Sequence, residues 1–127
     1  LFLDAAPHDW LFPRCACIVH HGGAGTTQAA LRAGVPMVVA PADYEQPWNG
    51  AWVEALGCGR VAPSVHCASP EALSAAVKEV LGDEGMRAKA AEIADGMRAE
   101  PGVAGAVGIV EEILAESREG SQQCRRP

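Results

Sequence analysis

The sequence is short of positive charge and contains no long apolar run. Ten Lys and Arg residues stand against sixteen Asp and Glu, which gives a formal net charge of −6 at pH 7. This balance argues against a nucleic-acid footprint and against attraction to an anionic membrane surface. No apolar stretch approaches the roughly 18 residues of a bilayer-spanning helix, and no secretory h-region is present. We therefore expect no nucleic-acid partner and no transmembrane segment.

Paired cysteine motifs are also absent. The five cysteines lie at positions 15, 17, 58, 67 and 124, an odd number without any C-x-x-C spacing. This argues against a zinc site and against a thioredoxin-like redox motif. We interpret the cysteines as reduced thiols, which are typical of an intracellular protein. The expected localisation is cytoplasmic, and the sequence leaves open whether the protein also associates with the surface of membranes.

Aromatic residues make up only 5% of the chain, so alanine, valine and leucine have to fill the core. With 127 residues, 49% of them hydrophobic, the chain has about the modal size of one domain. Its first residue, Leu1, already lies within an apolar run, "LFLD". Because a domain rarely begins inside a strand, we expect a piece of a longer protein. Residues 1–118 are predicted to form one N-terminally truncated domain, and residues 119–127 a disordered tail.

Apolar runs in the first half of the chain predict strands. These are "LFLD", then "CACIVHH" (residues 15–21) and "PMVVAP" (36–41), and they suit strands buried on both faces of a parallel sheet. Between the last two, "AGTTQAALRAG" predicts a helix of about ten residues that stops at Gly34, which completes a βαβ unit. "RVAP" (60–63) predicts a short edge strand.

The second half of the chain is predicted to be helical. A helix is expected from Pro47 to Leu56, and Ser69 followed by Pro70 marks the start of the next helix. Apolar residues then recur at helical spacing over 73–81, 86–97 and 103–114. The expected fold class is α/β, with a parallel sheet of three to four strands, about five flanking helices and a missing N-terminal part.

Three well-known loop motifs are incomplete in "VHHGGAGTTQAALRAGVP", which runs from Val19 to Pro36. The dinucleotide fingerprint lacks its third glycine after Gly23 and Gly25, and the lysine of a P-loop is absent. No G-x-S-x-G elbow supports a hydrolase serine. The missing glycine also disfavours an NAD-binding protein.

The same stretch keeps the features of an anion site. Its glycines allow close backbone approach, Thr26 and Thr27 add hydroxyls, and a helix N-terminus presents free N–H groups that suit a phosphate. The alternative is a tight strand-to-helix turn with packed histidines. Because His20 and His21 are adjacent on a strand, they point to opposite faces, so we expect no shared metal ion.

A second polar cluster, "PADYEQPWN", follows the third predicted strand. Carboxyl ends of parallel strands are where α/β sheets bind ligands. Glu45 and Gln46 offer neighbouring acceptors and a donor, which suit sugar hydroxyls. The alternative is a solvated turn before a helix.

Together these segments resemble the nucleotide-sugar signature of UDP-dependent glycosyltransferases with the two-domain GT-B fold. Within that family, the sequence is most similar to the branch of sterol 3-beta-glucosyltransferases and erythromycin CIII-like antibiotic glycosyltransferases. The resemblance rests on "PHDWLFPRC" (residues 7–15), "HHGGAGTTQAALRAGVP" (20–36) and "EQPWN" (45–49), which keep the family's order and spacing. It implies a partial Rossmann-like fold, the C-terminal, donor-binding domain of such an enzyme.

The resemblance also implies site residues. His21 matches the histidine that contacts the diphosphate, whereas Pro7 and His8 match the loop that meets the uracil. The implied donor-binding set is His8, His21, Gly22, Gly23, Gly25, Thr26, Thr27, Glu45, Gln46 and Asn49. Glu45 replaces the commoner aspartate of the branch, which leaves the identity of the sugar undetermined. "PWN" replaces "PFW", so the sequence departs from the branch in the segment that forms the sugar-side wall.

The activity implied by the resemblance is an inverting transfer of a sugar, by default glucose, from UDP to an acceptor hydroxyl. The acceptor is a sterol, another lipid or a small hydrophobic compound, and neither a metal nor another cofactor is implied. His21 would stabilise the leaving diphosphate, while the catalytic base belongs to an N-terminal domain outside this chain. The alternative is a non-catalytic or partner-dependent nucleotide-sugar-binding module.

Overall fold

Three short parallel strands form the centre of the protein. A computed structural model describes the backbone of residues 2–123 and the side chains of residues 2–116. The strands are β1 (Ile18–His20), β2 (Met37–Val39) and β3 (Gly59–Val61), in the spatial order β1-β2-β3. Strand β2 pairs in parallel with both of its neighbours. The α/β fold class and the parallel sheet predicted from the sequence are confirmed.

Most of the remaining described chain is helical. The helices are α1 (His8–Leu11), α2 (Ala24–Ala33), α3 (Gln46–Ala55), α4 (Pro70–Gly82), α5 (Glu84–Ala99) and α6 (Gly102–Gln123). A 3-10 turn at Phe12–Arg14 follows α1 directly. The sequence correctly predicts the helix between β1 and β2, the helix after Pro47 and the three helices that follow Ser69.

The helix ends follow from local signals in the sequence. Gly34 ends α2 in the left-handed conformation, with φ of 70°, and its N–H bonds to the last carbonyls of the helix. The hydroxyl of Ser69 accepts a 3.1 Å hydrogen bond from the N–H of Ala72 at the start of α4. The carboxylate of Asp83 accepts a 2.8 Å bond from Met86 in the same way and begins α5. These caps satisfy groups that a helix end leaves without partners.

The core lies on both faces of β2, whose three residues are fully buried. Met37 and Val39 pack with Leu31 of α2 on one face, whereas Val38 packs with Val80 of α4 on the other. Successive side chains of a strand point to opposite faces, so helices have to cover both sides of the sheet. This packing fixes the carboxyl ends of β1 and β2 next to each other.

The expected strand at "LFLD" is wrong for the residues described. Phe2 and Leu3 are exposed and belong to no strand, because no neighbouring strand offers them backbone partners. Where the resemblance implies a loop at Pro7 and His8, the chain forms α1 from His8 to Leu11. Pro7 stands at the N-cap of that helix with φ of −61°, and proline tolerates this position because its ring fixes φ and it needs no N–H partner.

Helix α6 extends beyond its predicted apolar segment. It reaches Gln123, so backbone helix continues into the segment where the sequence predicts a tail, while residues 124–127 of that tail lie outside the described residues. Its apolar residues keep helical spacing, yet Val103 and Val110 are exposed. Among the described residues, no helix is both long and apolar enough to cross a membrane.

Candidate functional site

Two loops meet at the carboxyl edge of the sheet. The first follows β1 and leads through the glycine turn (residues 21–23) into α2. The second follows β2 and leads through residues 40–45 into α3. Because β1 and β2 are parallel neighbours, both loops leave from the same edge. This is the place where open α/β sheets bind their ligands.

Gly22 allows these two loops to touch. Its φ is 93°, a left-handed value that residues with a side chain rarely adopt. A Cβ on Gly22 would lie 2.8 Å from Cγ1 of Val39 and 2.9 Å from the carbonyl oxygen of Gln46. Glycine at this position is therefore required by the protein's own packing.

A hydrogen bond also joins the two loops. Nδ2 of Asn49, in the first turn of α3, donates to the carbonyl oxygen of Gly22 at 2.8 Å. The resemblance places Asn49 in the donor-binding set, and the structure gives its amide a partner inside the protein. Asn49 therefore positions the glycine turn relative to the loop that carries Glu45 and Gln46.

His20 is packed inside the turn. Its Nδ1 accepts a 3.1 Å hydrogen bond from the N–H of Gly22, and its Nε2 lies 3.3 Å from the sulfur of Met37. Burial, assisted by the neighbouring His21, lowers the pKa of His20 to about 4. The ring is consequently neutral at pH 7, which it must be to accept the Gly22 bond at Nδ1.

His21 lies on the outer side of the same turn. It is exposed, and a Cβ on Gly23 would lie 2.7 Å from its Nε2, so its ring covers Gly23. The centroids of the His20 and His21 rings are 6.5 Å apart, with the planes at 80°. No cluster of three or more His, Cys, Asp or Glu side chains suited to a metal ion occurs among the described residues.

The N-terminus of α2 opens beside His21. Gly23 is its N-cap, and no side chain caps the helix. The N–H of Thr27 is the first to bond within the helix, to the carbonyl of Gly23 at 3.0 Å, so the preceding N–H groups have no intrahelical partner. A Cβ on Gly25 would meet no atom within 4 Å, which leaves open space at this helix end.

The two threonines of this motif differ in their surroundings. Thr26 is only partly buried, whereas Thr27 is 1% exposed and its hydroxyl donates to the carbonyl of Gly23 at 3.0 Å. The Thr27 hydroxyl proton is therefore used inside the helix, and the assignment of Thr27 to the phosphate stays a prediction. A threonine in a helix can bond back to the carbonyl four residues earlier, and here that bond uses its hydroxyl proton.

The predicted sugar-binding pair lies at the start of α3. Glu45 occupies the N-cap position and is exposed. Oε1 of Gln46 accepts hydrogen bonds from the N–H groups of Ala42 (2.8 Å) and Asp43 (3.2 Å). Two donors of the loop therefore engage this oxygen inside the protein, and the assignment of Gln46 to the sugar hydroxyls stays a prediction. Its amide nitrogen remains as a donor.

The predicted uracil loop forms part of α1. The carbonyl of Pro7 accepts from the N–H of Leu11, and the carbonyl of His8 accepts from Phe12. The imidazole of His8 stacks on the Phe12 ring, with centroids 4.3 Å apart. The helix therefore already engages both backbone carbonyls, and the contact of Pro7 and His8 with the uracil stays a prediction.

Two features of the β2–α3 loop were not predicted. Tyr44 has a positive φ of 57°, and Nε2 of His66 lies 3.4 Å from the carboxylate oxygen Oδ2 of Asp43. His66 is 23 residues away in sequence and belongs to no motif, so no sequence signal connects the two. Positive φ at a tyrosine is likewise unexpected, since bulky residues disfavour it.

An uncapped helix end, an exposed histidine and a carboxylate–amide pair thus share one edge of the sheet. A family model described as "Erythromycin biosynthesis protein CIII-like, C-terminal domain" matches residues 2–113. The chain belongs to this family. The resemblance stated from the sequence is confirmed.

Curated relatives and solved structures agree with this family. A sterol 3-beta-glucosyltransferase of Arabidopsis thaliana is 46% identical over 105 residues, 83% of this chain and 16% of that protein. An O-mycaminosyltylonolide 6-deoxyallosyltransferase of Streptomyces fradiae is 37% identical over 118 residues, 93% of this chain and 28% of that protein. The structure of the glycosyltransferase VinC in complex with dTDP has a TM-score of 0.81 and 28% identity, over 90% of this chain and 29% of that chain.

The spinosyn rhamnosyltransferase SpnG complexed with thymidine diphosphate is similar as well. Its TM-score is 0.76 at 29% identity, over 84% of this chain and 29% of that chain. The chain therefore spans less than a third of each of these proteins. It is a C-terminal domain of the erythromycin CIII-like family, and the relatives named above are glycosyltransferases.

Proposed function

We propose that this chain is the donor-binding part of an inverting glycosyltransferase that uses a UDP-sugar, with glucose as the sugar. The acceptor is a hydroxyl of a sterol, another lipid or a small hydrophobic compound. Identity of 46% to a sterol 3-beta-glucosyltransferase supports this choice over the 6-deoxyallosyltransferase, at 37%.

One observation carries the proposal. The uncapped N-terminus of α2 and the exposed ring of His21 lie on the turn that Asn49 bonds to the Glu45–Gln46 loop. The helix end proposed for the diphosphate and the pair proposed for the sugar hydroxyls are thus held on joined segments, which supports the proposal of a sugar diphosphate as ligand. Helix N-termini suit phosphates because their N–H groups and dipole face the negative charge.

The chemistry follows from the charge that develops during transfer. When the acceptor hydroxyl attacks the anomeric carbon, the sugar–phosphate bond breaks and negative charge builds on the leaving diphosphate. In this proposal, the N–H groups at the start of α2 and the ring of His21 stabilise that charge. Losing one such donor raises the barrier by on the order of 3 kcal/mol.

The proposed reaction uses no metal or cofactor. We assign diphosphate stabilisation to protein groups alone, and we assign the base and most of the acceptor pocket to a part of the enzyme outside this chain. In the full-length gene product, EDTA should leave the rate of transfer unchanged. A loss of transfer that Mg²⁺ or Mn²⁺ restores would contradict this assignment.

The donor nucleotide is tested by comparing UDP-glucose with dTDP-glucose. The full-length gene product should transfer glucose from UDP-glucose to a sterol acceptor and should prefer it to dTDP-glucose. The comparison matters because the VinC and SpnG structures named above hold dTDP and thymidine diphosphate. Preference for dTDP-glucose would overturn the nucleotide assignment while leaving sugar transfer in place.

A non-catalytic or partner-dependent module is the second candidate, favoured by the small share of each relative that the chain covers. It predicts binding of UDP-glucose without transfer unless another chain is added. Binding without transfer by the full-length gene product would favour this candidate.

A further inference from the structure

Tyr44 has an unfavourable backbone conformation that no burial of its side chain offsets. It is the one non-glycine residue with positive φ in the described part of the chain, at 57°. Left-handed backbone is unfavourable for residues that carry a Cβ. The Tyr44 side chain is 89% exposed, so contacts inside the protein do not compensate. Such residues concentrate at ligand-contact sites, where the surrounding structure enforces the conformation.

The neighbours of Tyr44 enforce its conformation from both sides. The N–H of Asp43 donates to Oε1 of Gln46 at 3.2 Å, and the N–H of Gln46 donates to the carbonyl of Asp43 at 3.3 Å. His66 contacts the Asp43 carboxylate from the loop after β3. Residues 43 and 46 are therefore closed into a tight turn, and Tyr44 and Glu45 form its tip.

This tip stands at the rim of the proposed donor site. Glu45 follows Tyr44 directly, and both lie beside Gln46, whose oxygen the turn has already engaged. Through Asn49, the first turn of α3 is bonded to the glycine turn and the α2 N-terminus. Tyr44 thus directly precedes the residues proposed to hold the sugar, in a loop that is joined through Asn49 to the turn proposed to hold the diphosphate.

We propose that Tyr44 determines sugar specificity by packing its ring on the C–H face of the donor hexose. A hexose exposes apolar C–H groups as well as hydroxyls, and a tyrosine provides a rigid apolar surface with few rotatable bonds. Glu45 and the Gln46 amide nitrogen bind the hydroxyls, while Tyr44 contacts the apolar face. This inference rests on the proposed function.

The test compares binding of UDP with binding of UDP-glucose by calorimetry. Two variants remove the ring without opposing the backbone: Tyr44→Asn, since asparagine tolerates positive φ, and Tyr44→Gly, which relieves the strain. Both should bind UDP as the parent does and bind UDP-glucose on the order of tenfold more weakly. Tyr44→Gly should also melt no lower than the parent. Tyr44→Phe should keep the parent's affinity for UDP-glucose, because it keeps the ring.

Trp52→Ala is the matched control, because it removes an exposed aromatic ring that lies in α3, outside this turn, and it should change neither affinity. Unchanged UDP-glucose affinity in Tyr44→Asn and Tyr44→Gly would overturn the inference. A parallel loss of UDP and UDP-glucose affinity would also overturn it, since the turn rather than the ring would then be responsible. Failure of the parent protein to bind UDP would instead contradict the proposed function, and the inference with it.

Discussion

Nδ2 of Asn49 donates a 2.8 Å hydrogen bond to the carbonyl oxygen of Gly22, which lies 27 residues earlier in the chain. This bond couples the two loops of the proposed donor site, so that the turn proposed to face the diphosphate and the loop proposed to face the sugar keep one relative position. On the other side of the same glycine, the Gly22 N–H donates to His20. Both polar groups of the Gly22 backbone are therefore fixed by side chains.

Asn49→Ala should loosen the coupling between the loops. Removing one net hydrogen bond should lower the free energy of unfolding by about 1 kcal/mol, and UDP-glucose affinity should fall with it. Asn49→Asp, of equal size, should cost more because a carboxylate oxygen would face the Gly22 carbonyl. Urea unfolding and calorimetric titration measure both effects. Parent-like stability and affinity in both variants would show that the bond does not position the turn.

Two glycines of the same motif should respond oppositely to alanine. Gly22→Ala should destabilise the protein by at least about 2 kcal/mol, because its φ is 93° and a Cβ would clash with Val39 and Gln46. Gly25→Ala should stabilise it by about 0.5 kcal/mol, since its Cβ would meet open space in a helix.

Donor affinity distinguishes a structural from a binding role for Gly25. We expect Gly25→Ala to weaken UDP binding although it does not harm the fold, because the added methyl group occupies the open helix end. Thermal melting and UDP titration of the same sample measure the two quantities. Unchanged UDP affinity would place the diphosphate away from Gly25.

His21→Ala should reduce glycosyl transfer by the full-length gene product about 100-fold, because it removes one stabilising group from the leaving diphosphate. Stability should be unchanged, since the ring is exposed. Arg32→Gln is the matched control: it removes an exposed cation at the far end of α2 and should leave the rate unchanged. Initial rates at saturating UDP-glucose measure the effect, and near-parental turnover by His21→Ala would refute the role given to His21.

Stability should decline as the pH falls because of His20. Its pKa is about 4 in the folded protein and about 6.5 when unfolded, so the unfolded chain takes up the proton first. Its contribution is complete above pH 6.5 and is lost progressively down to pH 4. Because the ring is only partly buried, we expect a loss of about 2 kcal/mol.

His20→Asn isolates this titration. Asparagine offers an oxygen to the Gly22 N–H but does not ionise between pH 4 and 6.5. Urea unfolding across that range should show a smaller pH dependence for the variant than for the parent. Equal slopes would mean that His20 is protonated equally in the folded and unfolded states.

The sequence determined the local elements and the family. Signals that act over a few residues can be interpreted from the sequence alone. Examples are Gly34 after an alanine-rich helix, Ser69 before Pro70, and the apolar runs around Ile18 and Val38. The same holds for the glycine turn and its place beside the Glu45–Gln46 loop, because consecutive parallel strands end at one edge.

Only the tertiary structure decided what the polar side chains of the site contact. The Thr27 hydroxyl is used by a helix carbonyl, the Gln46 oxygen by two loop N–H groups, and the Asn49 amide by Gly22. The prediction of a strand at "LFLD" was wrong for a related reason, since a strand forms only where a neighbouring strand supplies backbone hydrogen-bond partners. The hydrogen-bond partners of a polar side chain depend on how closely the packed helices, strands and loops approach one another. The distance between α3 and the glycine turn, for example, depends on Val39 and on the absence of a side chain at Gly22. Residue types and spacing therefore specify the kind of site, whereas packing decides which of its polar atoms remain for a ligand.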